Sequence, residues 1–293
     1  MRDGLVVVDK PAGCTSHDVV ARLRRTYGQR RVGHAGTLDP DATGVLLVGL
    51  GRATRLLRYL SEAGKAYTGR VVFGIATTTL DAAGDVLDQR PMPLTRDQVD
   101  RVLPRFVGDI EQLPPMVSAV KIGGRRLHEL ARAGKEVERA PRAVHVDRLE
   151  LVDFVPGPYP EATLVVECGS GTYVRSLAAD LGATLGGCAH LAALRRDRVG
   201  SFTLAEAHSL DEIEAAPDDA VLPLTVAMRD LERVDIDAEQ ARAVTHGLSF
   251  AAGVIAVHGA GPYALVGPAG VLLAVYDGCG AALKPAVVVA ADA

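Results

Sequence analysis

A twelve-residue segment, residues 33–44, constrains this chain more than any other part of its sequence. It contains glycines, a proline and several other turn formers, a composition that favours neither a helix nor a strand. The apolar run Val45–Leu50 follows at once and predicts a buried strand. The sequence therefore predicts a shaped loop that is anchored in the core of a globular protein.

Asp39 is the unusual carboxylate of this loop, because it lies between Leu38 and Pro40. The proline restricts Asp39 to extended backbone angles, and the glycines on either side allow another chain to approach closely. That geometry suits a nucleophile presented to a substrate. Asp-Pro followed by Asp41 is also an ordinary turn signal, and the loop residues alone favour the turn.

Helix and strand signals alternate on both sides of the loop. Thr15 with Asp18, and Thr95 with Gln98, form capping boxes that predict the starts of two helices. A further helix is predicted over residues 173–185. Strands are predicted at residues 4–8, 45–50, 67–73, 144–151 and 162–168.

The last sixty residues predict a separate small β domain that begins at about residue 234. Glycine turns there separate short apolar runs, and the acidic stretch 205–220 with the segment after it forms the connection. The basic segment 121–142, with a short helix around residues 127–133, is interpreted as an excursion from the core. The strand-like runs of the C-terminal region are residues 254–257, 264–266, 271–276 and 285–289.

Composition limits the class of protein. The chain has 293 residues, of which 48% are hydrophobic and 23% charged, and this is enough apolar material for a large core and two domains. No apolar run approaches the ~20 residues that a membrane span needs, and the first residues are too short and too acidic a stretch for a signal peptide. We therefore expect a cytoplasmic protein that does not enter a membrane.

Several cofactor classes lose their usual sequence support. The four cysteines form no CxxC pair, and the eight histidines show no pair at metal-ligand spacing. A triphosphate-binding loop, a strand-linked GxGxxG motif and an HExxH motif are all missing from the sequence. We expect neither a metal nor an organic cofactor.

Charge is distributed unevenly along the chain. Residues 1–204 hold 28 Lys and Arg against 23 Asp and Glu, whereas residues 205–293 hold 4 against 13. A basic cluster of this kind is most often a solvated face, and a polyanion partner is the alternative. The two densest clusters are Arg22, Arg24, Arg25, Arg30 and Arg31, and then Arg52, Arg55 and Arg58.

The loop sequence Gly-His-Ala-Gly-Thr-Leu-Asp-Pro-Asp-Ala-Thr-Gly at residues 33–44 resembles the catalytic motif of the tRNA pseudouridine-55 synthases, the TruB-type family, almost letter for letter. The resemblance covers about residues 4–204 in the family's order. One departure is His128, where the basic insertion of the family more often carries Tyr. The other matching blocks are Asp9-Lys10-Pro11 with Gly13 and Ser16, Lys65-Ala66-Tyr67, Gly84-Asp85, Pro114-Pro115, residues 118–121, residues 171–177, His190-Leu191 and residues 194–196.

The resemblance implies an α+β pseudouridine synthase fold, with a mixed, largely antiparallel central sheet crossed by a cleft. It places a catalytic domain at residues 1–233, an RNA-gripping insertion at about residues 121–147, and a small PUA-like β domain at residues 234–293. In the family, the C-terminal domain touches the acceptor stem of tRNA. The implied partner is therefore tRNA, bound through its T-arm and its acceptor stem.

The implied reaction is the isomerisation of uridine to pseudouridine at position 55, in the T-loop. A carboxylate can act as a covalent nucleophile in such a reaction, and the resemblance gives this role to Asp39. Arg175 is implied to pair with Asp39 and keep it ionised. Because the target base must be flipped out of a folded loop, it needs a stacking surface, and Tyr67 is implied to provide one.

The resemblance also implies the residues that hold the substrate. His34 occupies the position that the flipped base leaves, Lys10 and Pro11 brace the catalytic loop, and Leu194 lines the pocket. The remaining predicted substrate-binding residues are Tyr173, Lys121, Arg125 and Arg126.

Two other functions are compatible with the same sequence. The first is a tRNA-folding chaperone without obligatory chemistry, against which the intact set of Asp39, Tyr67 and Arg175 argues. The second is a guide-RNA-dependent relative that works inside a multi-protein particle. The insertion favours a stand-alone enzyme, because a protein without guide RNA must grip its substrate itself. We therefore expect a monomer with no obligatory protein partner.

Overall fold

The computed structural model describes residues 2–118, 121–122, 125–127, 137–279 and 282–289, with the backbone alone described at residues 121–122 and 125–126. The chain folds into two compact units. The first unit contains residues 1–40, 45–62 and 199–293, and the second contains residues 41–44 and 63–198. Each unit has its own sheet strands and its own buried residues.

The N-terminal part of the first unit is built on β1 and β3, which are hydrogen-bonded neighbours. Helix α1 begins at the predicted place, because the Thr15 side chain and Asp18 form the expected capping box. The elements are β1 (Gly4–Lys10), α1 (Ser16–Thr26), β2 (Val32–Ala35), β3 (Thr43–Leu50), a 3₁₀ helix (Gly51–Arg55) and α2 (Leu57–Glu62).

Strand β2 overlaps the segment that composition predicts to be irregular. It pairs antiparallel with β3, from Val32 opposite Leu50 to Ala35 opposite Leu47. The prediction of an irregular segment over residues 33–44 is therefore wrong for residues 33–35 and 43–44, which lie in β2 and β3, and it is confirmed for residues 36–42. The reason is tertiary: β3 supplies hydrogen-bond partners that outweigh the weak strand propensity of glycine.

The C-terminal part of the first unit contains a five-stranded sheet of order β14-β16-β17-β18-β15. Its core includes the fully buried rings of Tyr263 and Tyr276. The strand predicted at residues 254–257 does not form, and Ile255 makes only an isolated bridge to Ala252. The elements are α5 (Leu210–Ala215), α6 (Leu224–Ala227), β14 (Glu232–Asp235), α7 (Ala238–Thr245), β15 (Phe250–Ala251), β16 (Tyr263–Val266), β17 (Leu272–Cys279) and β18 (Ala282–Val288), preceded by the short strand β13 (Phe202–Thr203) and a 3₁₀ helix (Leu204–Glu206).

The second unit is built on a sheet in which the strand order is β12-β4-β11-β10-β7. Strands β4, β11, β10 and β7 pair antiparallel along this order. Strand β12 pairs parallel with the first two residues of β3, which belong to this unit. The α+β class and the mixed, largely antiparallel sheet are thus confirmed. The strands are β4 (Lys65–Phe73), β7 (Gly108–Gln112), β10 (Arg142–Val155), β11 (Glu161–Cys168) and β12 (Ala189–Val199).

Helices and small hairpins complete the second unit. Helix α3 (Arg96–Val102) begins at the Thr95–Gln98 capping box, as predicted, and runs into a 3₁₀ helix (Leu103–Phe106). Helix α4 (Val174–Thr184) occupies the segment predicted to be helical. The hairpins are β5 (Ile75–Thr77) with β6 (Val86–Gln89), and β8 (Lys121–Ile122) with β9 (Arg125–Arg126).

The expected insertion at residues 121–147 is described only in part. Residues 142–146 lie in β10 and pair with β7, so the chain has returned to the sheet by Arg142. Leu127 is buried, and His128, together with most of the helix predicted around residues 127–133, lies outside the described residues. Within the described parts of the chain, no helix is both long enough and apolar enough to cross a membrane.

Candidate active site

The loop that carries Asp39 is held by helix α1. Asp39 itself is half-buried, in irregular backbone between Leu38 and Pro40. The buried Ser16 hydroxyl, in the first turn of α1, accepts a hydrogen bond from the Leu38 N–H at 2.9 Å and donates one to the Leu38 carbonyl at 3.1 Å. One side chain therefore satisfies both polar groups of the residue before Asp39.

The residue after Asp39 is held from the end of β1. Lys10 is fully buried, and its ammonium donates hydrogen bonds to the carbonyls of Pro11 at 2.8 Å and Pro40 at 2.9 Å. The Gly13 N–H donates a second bond to the Pro40 carbonyl at 3.0 Å. Bonds to a charged donor are stronger than neutral ones, so the backbone is fixed on both sides of Asp39. The predicted bracing role of Lys10 and Pro11 fits this geometry.

His34 lies on β2, half-buried, and contacts a second histidine. Its ring meets the ring of His17 in a T-shaped arrangement, with centroids 5.3 Å apart and planes at 84°. His17 is exposed and follows Ser16 directly in α1. The first turn of α1 thus touches both the histidine predicted to contact RNA and the loop of Asp39.

The end of the loop fits closely against β12. Gly44 has a φ of +102°, and a Cβ built on it would lie 2.2 Å from the Arg196 carbonyl oxygen. Both the left-handed backbone and the lack of space require glycine here. This contact ties the loop's last residues to the sheet of the second unit.

Tyr67 and Leu194 belong to neighbouring strands of the second unit. Tyr67 is buried on β4, on the same face as Gly69, because side chains two residues apart point to the same side of a strand. A Cβ on Gly69 would lie 3.6 Å from the side chains of both Leu194 and Val174. The sheet therefore places Leu194 and the start of α4 over the same face of β4 as Tyr67.

Arg175 is a buried cation in the first turn of α4, with only 5% of its surface exposed. Its guanidinium donates to the carbonyls of Thr79 at 3.0 Å and Val117 at 2.8 Å, and lies 3.3 Å from the Asp81 carboxylate. A helix N-terminus disfavours a cation, and burial of a charge requires a partner. The Asp81 carboxylate meets both requirements.

Asp81 is a residue that the sequence reasoning missed. It lies in the loop between β5 and β6, where Thr79 donates a hydrogen bond to its carboxylate at 2.5 Å. The preceding residue, Leu80, has a φ of +62°, a left-handed conformation that is rare and strained for a leucine. The Thr79–Asp81–Ala83 turn bonds offered a local signal, since Asp and Thr favour such turns.

The backbone of Tyr173 is held in the same way as that of Leu38. The buried Gln112 side chain accepts a bond from the Tyr173 N–H at 2.9 Å and donates one to the Tyr173 carbonyl at 3.3 Å. Ser176, one turn further on, donates to the Leu113 carbonyl at 2.8 Å. The end of β7 therefore fixes the start of α4, and with it Arg175.

The predicted phosphate-gripping residues Lys121, Arg125 and Arg126 have a described backbone only. Strands β8 and β9 pair Lys121 with Arg126 and Ile122 with Arg125. Their proposed contacts with RNA stay predictions.

Several arginines of the two basic clusters of the first unit bond within the protein. Arg22 forms ion pairs with Asp211 at 2.5 Å and Glu214 at 2.6 Å, both from the acidic connection. Arg52 and Arg55 donate to the carbonyls of the last strand and its end, at Val289 and Val288. Arg24 donates to the Val32 carbonyl, and Arg58 to the Tyr59 hydroxyl.

One titratable group near Tyr67 has a strongly altered proton affinity. Burial, and then the charge of Arg196, lower the pKa of Lys65 to about 8. The Lys65 ammonium donates to the Ala63 carbonyl at 2.7 Å. Among the residues that the structure describes, no cluster of three or more His, Cys, Asp or Glu side chains is placed to hold a metal ion.

The predicted site residues fall into two groups. Lys10, Pro11, His34 and Asp39 lie together in the first unit, around the start of α1. Tyr67, Tyr173, Arg175 and Leu194 lie in the second unit, around β4 and the start of α4. The pairing of Asp39 with Arg175 stays a prediction.

Comparison with known families accounts for most of the chain. Residues 24–174 match the family described as TruB family pseudouridylate synthase, N-terminal domain, and residues 175–237 match the tRNA pseudouridylate synthase B C-terminal domain. Both descriptions are of pseudouridylate synthases. More narrowly, the chain belongs to the TruB family of these enzymes.

Relatives and solved structures agree with this assignment. A tRNA pseudouridine synthase B of Symbiobacterium thermophilum is 51% identical over 84% of this chain and 83% of its own length. One of Thermobifida fusca is 46% identical over 99% of both chains. Among solved structures, a chain of a Cbf5-Nop10-Gar1 complex is 28% identical, with a TM-score of 0.76 over 98% of this chain and 85% of the other. The chain is thus similar in fold to a chain of the Cbf5-Nop10-Gar1 complex, and it is much more similar in sequence to tRNA pseudouridine synthases B.

Proposed function

We propose that this protein isomerises uridine to pseudouridine at position 55, in the T-loop of tRNA, with Asp39 as the catalytic carboxylate. The observation that carries the proposal is the fixed loop: Ser16 holds Leu38 and Lys10 holds Pro40, in a chain of the TruB family. A rigid support of this kind positions a nucleophile at little entropic cost during the reaction.

The reaction balances without a cofactor. The N1–C1′ bond of uridine breaks, a C5–C1′ bond forms, and the proton on C5 is lost while N1 gains one. Asp39 can serve by attack on uracil C6, by attack on ribose C1′, or by assisting loss of a ribose proton. The first two routes give a covalent intermediate, which divides one difficult step into easier ones.

The remaining residues receive roles in the same proposal. Tyr67 stacks on the flipped uracil and moves the C5 proton, Leu194 lines the pocket, and Arg175 keeps Asp39 ionised. His34 fills the position that the base leaves. Support comes from the shared strand face of Tyr67 and Leu194 and from the firm placement of Arg175 by Asp81.

The finer assignments of partner and location belong to the proposal as well. Lys121, Arg125 and Arg126 grip the T-arm backbone, and residues 234–293 form a PUA-like domain that meets the acceptor stem. Arg242 and Lys284 are exposed cations of that region, whereas Arg233 is paired with Asp235. The enzyme acts as a cytoplasmic monomer without a guide RNA, as the greater similarity to tRNA pseudouridine synthases B supports.

The decisive experiment incubates the purified full chain alone with unmodified tRNA and maps pseudouridine at single-nucleotide resolution. We expect modification at position 55 alone. Asp39→Asn is expected to abolish turnover and to leave tRNA binding within about tenfold, because only the anionic oxygen is lost. The matched control is Asp41→Asn, which changes an exposed carboxylate two residues away and is expected to keep turnover.

Each other outcome identifies a different function. Binding and refolding of tRNA without any pseudouridine would indicate a chaperone. Modification that needs an added guide RNA and protein partners would indicate a guide-RNA-dependent pseudouridine synthase. Turnover by Asp39→Asn above a few per cent of wild type, without deamidation to Asp, would remove Asp39 from the chemistry.

A further inference from the structure

The contact between His17 and His34 assigns a role to a residue that the sequence does not single out. His34 has a half-buried ring on β2, at the entrance to the Asp39 loop. His17 meets this ring in a T-shaped arrangement, with centroids 5.3 Å apart. Such edge-to-face contacts between aromatic rings are attractive at this distance.

The position of His17 makes its ring a defined support. The hydroxyl of Ser16, the preceding residue, forms hydrogen bonds with both the N–H and the C=O of Leu38. The Thr15–Asp18 capping box fixes the first turn of α1. The backbone of His17 therefore cannot move independently of the loop. A ring carried on this turn restricts the rotation of the His34 side chain before any RNA arrives.

We propose that His17 is a positioning residue that holds the His34 ring ready for insertion into the T-loop. The inference rests on the proposed function, in which His34 fills the place of the flipped base. A ring that is already oriented loses less side-chain entropy on binding. His17 therefore acts on formation of the flipped complex, which the KM for RNA reports, and leaves the chemical step at saturation unchanged.

The test measures kcat and KM of the full chain for an isolated T-arm hairpin, with four proteins: wild type, His17→Ala, His34→Ala and the double variant. We expect His17→Ala to raise KM about three- to tenfold, in line with the strength of a ring–ring contact, without a change in kcat. In the His34→Ala background the same substitution is expected to have no further effect, since residues that act together are not additive.

Two further variants separate positioning from general structure. His17→Phe keeps a ring at the contact and is expected to restore KM to within about twofold of wild type. His246→Ala removes an exposed imidazole at the end of α7 and is expected to leave both constants unchanged. Alanine is a good helix former, so His17→Ala keeps α1 folded, which circular dichroism checks.

The inference is overturned if His17→Ala matches wild type, or if its effect adds fully to that of His34→Ala. An effect on kcat alone would also overturn it, because positioning of the inserted ring acts before the chemical step. If wild type itself makes no pseudouridine in the hairpin or in whole tRNA, the proposed function fails instead. The two failures are therefore distinguishable.

Discussion

The Ser16 hydroxyl and the Leu38 backbone bond each other reciprocally, so that one buried side chain satisfies both the N–H and the C=O of the residue before Asp39. The Gln112 side chain likewise bonds both the N–H and the C=O of Tyr173, two residues before Arg175. The two charged residues of the predicted catalytic set, Asp39 and Arg175, thus each follow a backbone position that is fixed by a buried polar side chain. Buried polar networks that are fully satisfied rigidify their surroundings.

Ser16→Ala is expected to lower the free energy of unfolding by about 1–3 kcal/mol, because the Leu38 N–H loses its hydrogen-bond acceptor in a buried place. Turnover is expected to fall at least tenfold, since the Asp39 loop loses its support. Urea unfolding and single-turnover assays measure the two effects. Thr26→Ala is the control, because it removes a hydroxyl that bonds only within α1. Equal stability of Ser16→Ala and wild type would contradict the role of the clamp.

Arg175→Lys is expected to lose at least tenfold in kcat although it keeps the charge. An ammonium cannot reproduce the planar fork that reaches Thr79, Val117 and Asp81 together. Steady-state kinetics on tRNA measures the loss. Near-normal turnover of Arg175→Lys would show that the fork geometry is not needed.

The companion variant Asp81→Asn removes a carboxylate that lies 3.3 Å from the buried Arg175 guanidinium, and we expect a stability loss of about 1–3 kcal/mol. Asp88→Asn is the matched control, since its partner Arg90 is well exposed and such pairs contribute about 0–1 kcal/mol. Equal effects of the two substitutions would remove Asp81 from the support of Arg175.

Tyr67→Phe and Tyr67→Leu separate stacking from proton transfer. Phe keeps the ring face and loses only the hydroxyl, so its binding of tRNA is expected to stay within about twofold while kcat falls. Leu loses the face too, at a typical cost of ~1–3 kcal/mol per stacked base, and is expected to weaken binding at least fivefold. Equal activity of the three proteins would take Tyr67 out of the site.

The lowered pKa of Lys65 predicts that the free energy of unfolding rises with pH. Burial lowers its pKa in the folded chain to about 8, from 10.5, so between these values the unfolded chain binds a proton that the folded chain lacks. The free energy of unfolding therefore increases with pH across this window, by up to about 3 kcal/mol. Urea unfolding at pH 7 to 10 gives the free energy of unfolding of wild type and of Lys65→Met, and the difference between the two is expected to rise with pH. A flat difference would show that Lys65 keeps an ordinary pKa.

Salt dependence locates the phosphate-binding surface. Replacing Lys121, Arg125 and Arg126 by Gln is expected to flatten the slope of log affinity against log salt, by roughly 0.7 to 0.9 for each phosphate that the protein no longer neutralises. Arg22→Gln is the control: Asp211 and Glu214 already neutralise Arg22, so the slope is expected to stay. A slope unchanged by the triple substitution, in a folded protein, would place the RNA on another surface.

Local chemistry made part of the fold predictable. Capping boxes work within one turn, and for this reason Thr15 and Thr95 predict helix starts that the structure contains. Strand β2 was not predicted, because its glycine lowers its own strand propensity and the strand forms through pairing with β3. The strand predicted at residues 254–257 fails for the opposite reason: its apolar residues have strand propensity, but only Ile255 finds a bridge.

The site residues, too, were predictable where the signal is local in sequence and were missed where it depends on a distant partner. Asp39 was identified from the resemblance, because the motif that carries it is one contiguous segment, residues 33–44; the loop residues alone favour a turn. Asp81 was missed because its partner Arg175 is far along the chain, and a carboxylate in a turn looks the same with or without such a partner. Arg22 was interpreted as part of a basic cluster for the same reason, because its acidic partners Asp211 and Glu214 lie far away in the sequence.

The first unit combines residues 1–40 and 45–62 with residues 199–293, so its early strands depend on partners that are synthesised much later. Leu5 and Val8 of β1 bridge to Leu222 and His208, and Arg52 bonds the Val289 carbonyl. A ribosome adds about 5–20 residues per second, so Leu5 is synthesised about 10–40 seconds before Leu222. Strand β1 lacks these partners for that time, and we expect the first unit to complete its fold only after the second unit has been synthesised.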